Sequence, residues 1–126
     1  MRINVSNEPD QIKITDKLGV KQRIKEVSCG SNHTCFLTYK HEVYSCGANY
    51  VGQLGVGFIS DKEFRPIVVR LRKNVDMMRQ VSCGNNHTLF LTGNSDIYSA
   101  GLNDEGQLGL GHYDTISWPE RVLIFT

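Results

Sequence analysis

No stretch of the chain comes near the ~18 consecutive apolar residues that a membrane-crossing helix needs, so no membrane span is expected. The start, MRINVSNEPDQIK, lacks the apolar run of a secretory signal. Charge of one sign is also missing: 14 Lys and Arg stand against 13 Asp and Glu in 126 residues, a formal net charge of +1. Without a basic excess there is no global attraction to nucleic acid or an anionic membrane, and direct nucleic-acid contact is not expected. Four cysteines are too few for a disulfide-dense scaffold. Three prolines rule out collagen-like or proline-rich character, and a hydrophobic fraction of 40% rules out a disordered chain. An ordinary globular protein is left, expected to be intracellular, in the cytoplasm or nucleus.

What is present is written twice. Residues 27 to 57, VSCGSNHTCFLTYKHEVYSCGANYVGQLGVG, align with residues 81 to 111, VSCGNNHTLFLTGNSDIYSAGLNDEGQLGLG, at a constant offset of 54 without a gap. Nineteen of the 31 positions are identical, where roughly two would agree by chance from ordinary residue usage. A looser match continues from Pro66, Ile67, Val68 and Val69 to Pro119, Glu120, Arg121 and Val122. Pro9, Ile12 and Ile14 precede Val27 much as Pro66, Val69 and Leu71 precede Val81, which suggests a third, partial copy. The chain is therefore divided into 1–22, the end strand of a preceding unit, and two repeats at 23–76 and 77–126.

Within each unit the period is that of strands. Residues 33 to 39 and 87 to 92 alternate hydroxyl and apolar side chains with β-branched and aromatic enrichment, as do Val43 to Cys46 and Ile97 to Ala100. Polar segments of hairpin length join them at Tyr39 to Glu42 and Gly93 to Asp96. Further strands are expected at Ile24 to Cys29 and Met78 to Cys83, and from Pro66 onward, a residue placed at the strand start because a strand interior cannot hold it. Asp61 to Met78 is the one helix candidate, and Pro66 with the β-branched run after it argues against that. Four short strands cannot bury their own faces. Radial stacking of such sheets is the propeller solution, yet a period of 54 without a Trp-Asp dipeptide fits neither WD nor kelch repeats.

The pattern V-S-C-G-x-N-H-T-x-F-L-T, then Y-S-x-G-x-N-x-x-G-Q-L-G-x-G, then a proline-led apolar strand, resembles the repeat of the regulator of chromosome condensation (RCC1) family, over residues 23 to 126 in two copies. The resemblance implies an all-β fold: about two four-stranded antiparallel blades of a seven-bladed propeller, an incomplete ring. Cys46 and Ala100 depart from the family, which carries Trp before the glycine, so packing at that layer is expected to be smaller. Two units are fewer than a seven-bladed ring requires. The remaining blades are expected in the same longer chain, or from self-association of short ones.

Most repeated residues read as scaffold. Gly30, Gly47, Gly52 and Gly55, with Gly84, Gly101, Gly106 and Gly109, fall at turns and close approaches, and Asn49 and Asn103 can support turns through their side chains. No phosphate-binding glycine motif is spelled. His33 and His87 are equivalent by repeat and are read as imidazoles satisfying backbone groups between strands rather than as a base present twice. The C-x3-H pairs Cys29 with His33 and Cys83 with His87 are likewise explained by the repeat. Neither zinc nor any other cofactor is expected. Cys35 gives way to Leu89 and Cys46 to Ala100, which is how small hydrophobes behave, so the thiols are read as reduced. With no secretory signal, the glycosylation sequons at Asn4, Asn32 and Asn86 carry no weight.

Function is expected where the copies differ. Tyr50 and Val51 oppose Asp104 and Glu105, and FISDKEFR at Phe58 to Arg65 opposes HYDTISW at His112 to Trp118. Tyr50, Phe58, Phe64, Arg65, Asp104, Glu105, Tyr113 and Trp118 are therefore the partner-binding candidates, aromatics and arginine being the types that anchor interfaces. Their competing role is packing between blades. Residues 1 to 80 carry net +5 and residues 81 to 126 net −4, with a basic run of Lys62, Arg65, Arg70, Arg72, Lys73 and Arg79 that reads as a solvated face. The expected function is a non-catalytic protein-interaction scaffold. The alternative, implied by the resemblance, is guanine nucleotide exchange on a Ran-type small GTPase with chromatin association. No catalytic residue set is legible, so no enzyme activity is expected.

Overall fold

The computed structural model describes residues 13–16, 18–72 and 77–123. Alternating side chains and glycine-punctuated turns build eight strands, and no helix occurs among the described residues. The first sheet is a meander of β1 (Ile24–Cys29), β2 (His33–Thr38), β3 (Val43–Ala48) and β4 (Lys62–Val68). The second repeats it as β5 (Met78–Cys83), β6 (His87–Thr92), β7 (Ile97–Gly101) and β8 (Ile116–Val122). All neighbours pair antiparallel. The β2–β3 and β6–β7 hairpins turn through left-handed His41 (φ 64°) and Ser95 (φ 68°), which are 54 residues apart like the rest of the gapless block.

The fourth strand of each sheet corrects the expectation that proline opens it. β4 begins at Lys62, four residues before Pro66, and β8 begins at Ile116, with Pro119 inside it. Both are the outermost strands, where a missing N–H need not break a ladder. In both the register also shifts at the proline: pairing jumps from Ser45↔Ile67 to Gly47↔Glu63, and from Ser99↔Glu120 to Gly101↔Ile116. An edge bulge is a place a strand can hold proline, because the residues it skips make no ladder bonds.

Strand alternation decides what the sheets bury. One face of the first sheet presents Cys35, Leu37 and Val43 to Met78, Val81, Phe90 and Ala100 of the second, with Val69 joining them. This core runs between the sheets rather than within either. The opposite face carries Phe36, Tyr44 and Cys46, covered by Ile14. Ile14, assigned from the sequence to a partial third copy, packs on this face, while Pro9 and Ile12 lie outside the described residues. In the second sheet the positions equivalent to His33, Cys35 and Leu37, namely His87, Leu89 and Leu91, are only half-buried.

Candidate functional site

Two places gather chemistry-bearing side chains: the junction between the sheets and the rim formed by the long loops. At the junction Thr88 Oγ1 donates to the Gln53 carbonyl at 2.7 Å and lies 2.8 Å from His33 Nε2. A hydroxyl has one proton, already given to Gln53, so His33 must carry its own on Nε2 and donate it to Thr88. The lone pair is then on Nδ1, which is buried and has no hydrogen-bond partner. His33 therefore serves a hydroxyl of the other sheet, not the backbone groups expected from the sequence. Backbone joins in: Ser31 N–H donates to the Asn85 carbonyl at 3.1 Å, and Cys83 N–H to Ser28 Oγ at 3.0 Å. Gly30 is required by this closeness, since a Cβ there would stand 2.5 Å from the Gly84 carbonyl oxygen and 2.2 Å from the His33 ring.

Cys35 and Cys83 also meet here. A hydrogen bond from the Cys35 thiol is the largest influence on Cys83 and lowers it to about 4 against the pull of burial. The same pairing, with burial, raises Cys35 well above the ordinary thiol range. A contact of 3.4 Å from the Cys83 sulfur to the Ser28 carbonyl oxygen works against ionisation. Cys83 therefore ionises before Cys35. All four cysteines are free. His87, half-buried in the second sheet, is held below the usual imidazole value by desolvation and by the charge of His33.

The rim loops are tied down by repeated side chains. Asn49, wholly buried, donates to the Phe58 carbonyl at 2.8 Å, and Asn103, equally buried, donates to the carbonyls of His112 and Asp114 at 2.9 Å. Ser45 and Ser99 each donate to the carbonyl of a buried leucine, Leu54 or Leu108, at 2.9 Å. With the loop frame fixed twice over, the residues that differ are left outside. Tyr50 and Phe64 come together in a groove of about 340 Å³ whose walls include Asn32, Lys62 and Glu63. Tyr50 Oη donates to Asn86 Oδ1 at 2.9 Å across the junction, and the Lys62 ammonium lies 5.3 Å from the centre of the Phe64 ring.

The other candidates are not gathered with them. Phe58 and Arg65 are exposed, Tyr113 is 73% exposed, and Asp104 and Glu105 sit on the corresponding loop of the second unit, tied to Gln107. Trp118, a partner-binding candidate, takes the competing packing role and is half-buried: its ring occupies the space a Cβ on Gly57 would need, and the Arg72 guanidinium lies 5.3 Å from it. The basic run is divided likewise, with Lys62 over Phe64, Arg72 over Trp118, and Arg70 lining a separate cavity beside Glu42 and Tyr44. Lys73 lies outside the described residues. Sequence reasoning missed Asn86 and Thr88, which act across the junction. A search for polar pairs one repeat apart plus one residue would have paired His33 with Thr88 and Ser28 with Cys83.

Sequence models of the "Regulator of chromosome condensation (RCC1) repeat" match residues 24–53 and 78–107, and a second model of that repeat matches residues 40–91. The chain belongs to the RCC1 repeat family. The first model frames three strands and the loop after them, while the second starts in the β2–β3 turn and ends in β6, so the family repeat bridges the junction between sheets. The chain is similar to the human "RCC1-like G exchanging factor-like protein", 34% identical over 117 residues, which are 91% of this chain and 25% of that protein. In structure it resembles human WBSCR16 (TM-score 0.70, 36% identity, 84% of this chain and 27% of that one). It also resembles the RCC1 protein Prp20p of Saccharomyces cerevisiae (TM-score 0.77, 21% identity, 93% and 28%), a likeness of fold. The chain thus spans about a quarter of the length of these RCC1 relatives, and its two sheets are RCC1 propeller blades.

Proposed function

We propose that the chain is part of a longer RCC1 propeller that serves as a non-catalytic docking scaffold for a protein partner, with the groove of Tyr50 and Phe64 as its contact. One observation carries this reading. The bonds that hold the loops, from Ser45 and Ser99 to a buried leucine carbonyl and from Asn49 and Asn103 to the far side of the loop, are made in both units, whereas the exposed aromatic and charged side chains are positions where the units differ. Scaffold is held constant and the surface varies, as in repeat proteins that bind through their rims. A groove of about 340 Å³ with two aromatics, a lysine and a glutamate suits one anchoring side chain of a partner better than a metabolite. The division into 1–22, 23–76 and 77–126 belongs to the same proposal and is supported by Ile14 seated on the first sheet as a neighbouring blade would be.

The relatives' names favour a second reading, guanine nucleotide exchange on a Ran-type small GTPase with chromatin association. The structural neighbour Prp20p has binding properties toward Gsp1p and histones. Release of a fluorescent guanine nucleotide from a Ran-type GTPase at micromolar chain separates the two. A flat trace is expected for a docking scaffold, and accelerated release would replace it with the exchange reading.

A further inference from the structure

We propose that the junction between the two blades is a thiolate-rich metal site, with His33, Cys35 and Cys83 as the ligands of one Zn²⁺. A ring nitrogen of His33 and the sulfurs of Cys35 and Cys83 lie within 4.8 Å of one another. Two sulfurs and an imidazole nitrogen are the donors a d¹⁰ cation of borderline softness takes, at about 2.3 Å from sulfur and about 2.0 Å from nitrogen, so small movements close the set.

A second observation points to a ligand independently. His33 is 3% exposed, its Nε2–H is committed to Thr88, and its Nδ1 lone pair has no hydrogen-bond partner. A buried acceptor left without a donor is destabilising, and a bound ion removes that penalty. A metal-bound histidine has this arrangement, one nitrogen on the ion and the other donating its proton to an outer oxygen that fixes the ring, as Thr88 and Gln53 do here.

The donor set is not a by-product of the repeat. Cys29 with His33 and Cys83 with His87 recur because the unit recurs, and neither pair is the site. The trio joins β2 of one blade to β5 of the next. Its third member, Cys35, stands where the second unit has Leu89. Only this junction therefore gains the second sulfur. Cys83 is half-buried, which gives an ion a way in, whereas Cys35 and His33 are closed off. Binding puts two thiolate sulfurs on the metal, and any thiol still protonated gives up its proton as the ion binds. Three protein ligands leave one tetrahedral position for water.

The test is metal stoichiometry of the full 126-residue chain, purified with a phosphine reductant and loaded in separate metal-free samples with Zn²⁺ or Co²⁺. Expected are one tightly held zinc per chain, an intense thiolate-to-cobalt charge-transfer band, and a melting temperature that rises with zinc concentration. Cys35→Leu, which installs the second unit's own residue, should weaken binding by more than the 10- to 100-fold that loss of an outer partner costs. Cys29→Ser, at an exposed thiol outside the trio, should leave it unchanged. Circular dichroism checks the fold, and Cys83→Ser serves as the second variant should Cys35→Leu not fold. Failure to hold stoichiometric zinc, cobalt without the charge-transfer band, wild-type uptake by the trio variants, or a Cys35–Cys83 disulfide that excludes metal would each overturn the proposal.

Discussion

Thr88→Val removes one hydroxyl from the junction while keeping the side chain's shape. That hydroxyl is wholly buried and bonded on both sides, to His33 Nε2 at 2.8 Å and to the Gln53 carbonyl at 2.7 Å. The change strands a buried N–H and a buried C=O, at about 1–3 kcal/mol each. The added methyl returns about 0.8 kcal/mol, leaving a net loss of about 3 kcal/mol. For a chain of this size that corresponds to a fall in Tm on the order of 10 °C. The repeat supplies its own control. Thr34 is the equivalent residue of the first unit, and its Oγ1 makes only a 3.9 Å contact to the Cys29 sulfur, so Thr34→Val should stay within about 0.5 kcal/mol. Guanidinium unfolding followed by far-UV circular dichroism measures both. Equal losses for the two variants would refute the claim that the junction, rather than strand propensity, is what Thr88 serves.

Phe90→Ala, at a fully buried ring in the core between the sheets, should cost about 3–5 kcal/mol by the same unfolding assay, whereas Leu89→Ala on the half-buried opposite face should cost clearly less. Gly57→Val places a Cβ 2.5 Å from the Trp118 ring at φ +93°; it should destabilise by about 2 kcal/mol or more, and the emission of the single tryptophan should shift red as that ring is displaced. His87 has a folded value depressed below its unfolded one by desolvation first and the charge of His33 second. Its neutral form is therefore the one the fold favours: stability is complete above the unfolded value near 6.5 and declines as pH falls through it toward the folded value. Unfolding midpoints at pH 7.5 and 5.5 should differ in that direction, and His87→Asn should reduce the difference.

Much of the fold was legible because the repeat and the strand period agree. β1, β5 and both hairpins fall where alternation and punctuation put them, and Asn49 with Asn103 holds turns as its residue type suggests. The start of β4 was not legible. Pro66 is forbidden in an interior strand but allowed in an edge bulge, and edge status is a property of the sheet rather than of the segment. The junction was hidden for a related reason. His33 and Thr88 are 55 residues apart, and their meeting depends on which face of one blade covers the next. Cys35 was read correctly as a small buried side chain, yet its neighbour Cys83 is not its repeat equivalent, so aligning the copies could not pair them. Among the partner-binding candidates, residue type alone did not separate Tyr50 and Phe64, which share a groove, from Trp118, which is spent on packing over Gly57.

The docking claim is tested most directly by quantitative affinity capture from cells, comparing the wild-type chain with a Tyr50→Ala, Phe64→Ala double variant whose circular dichroism is unchanged. The account predicts a discrete set of proteins held by the wild type and lost from the variant, while partners of the blade scaffold itself stay. Capture of the same proteins in the same amounts by both would contradict it.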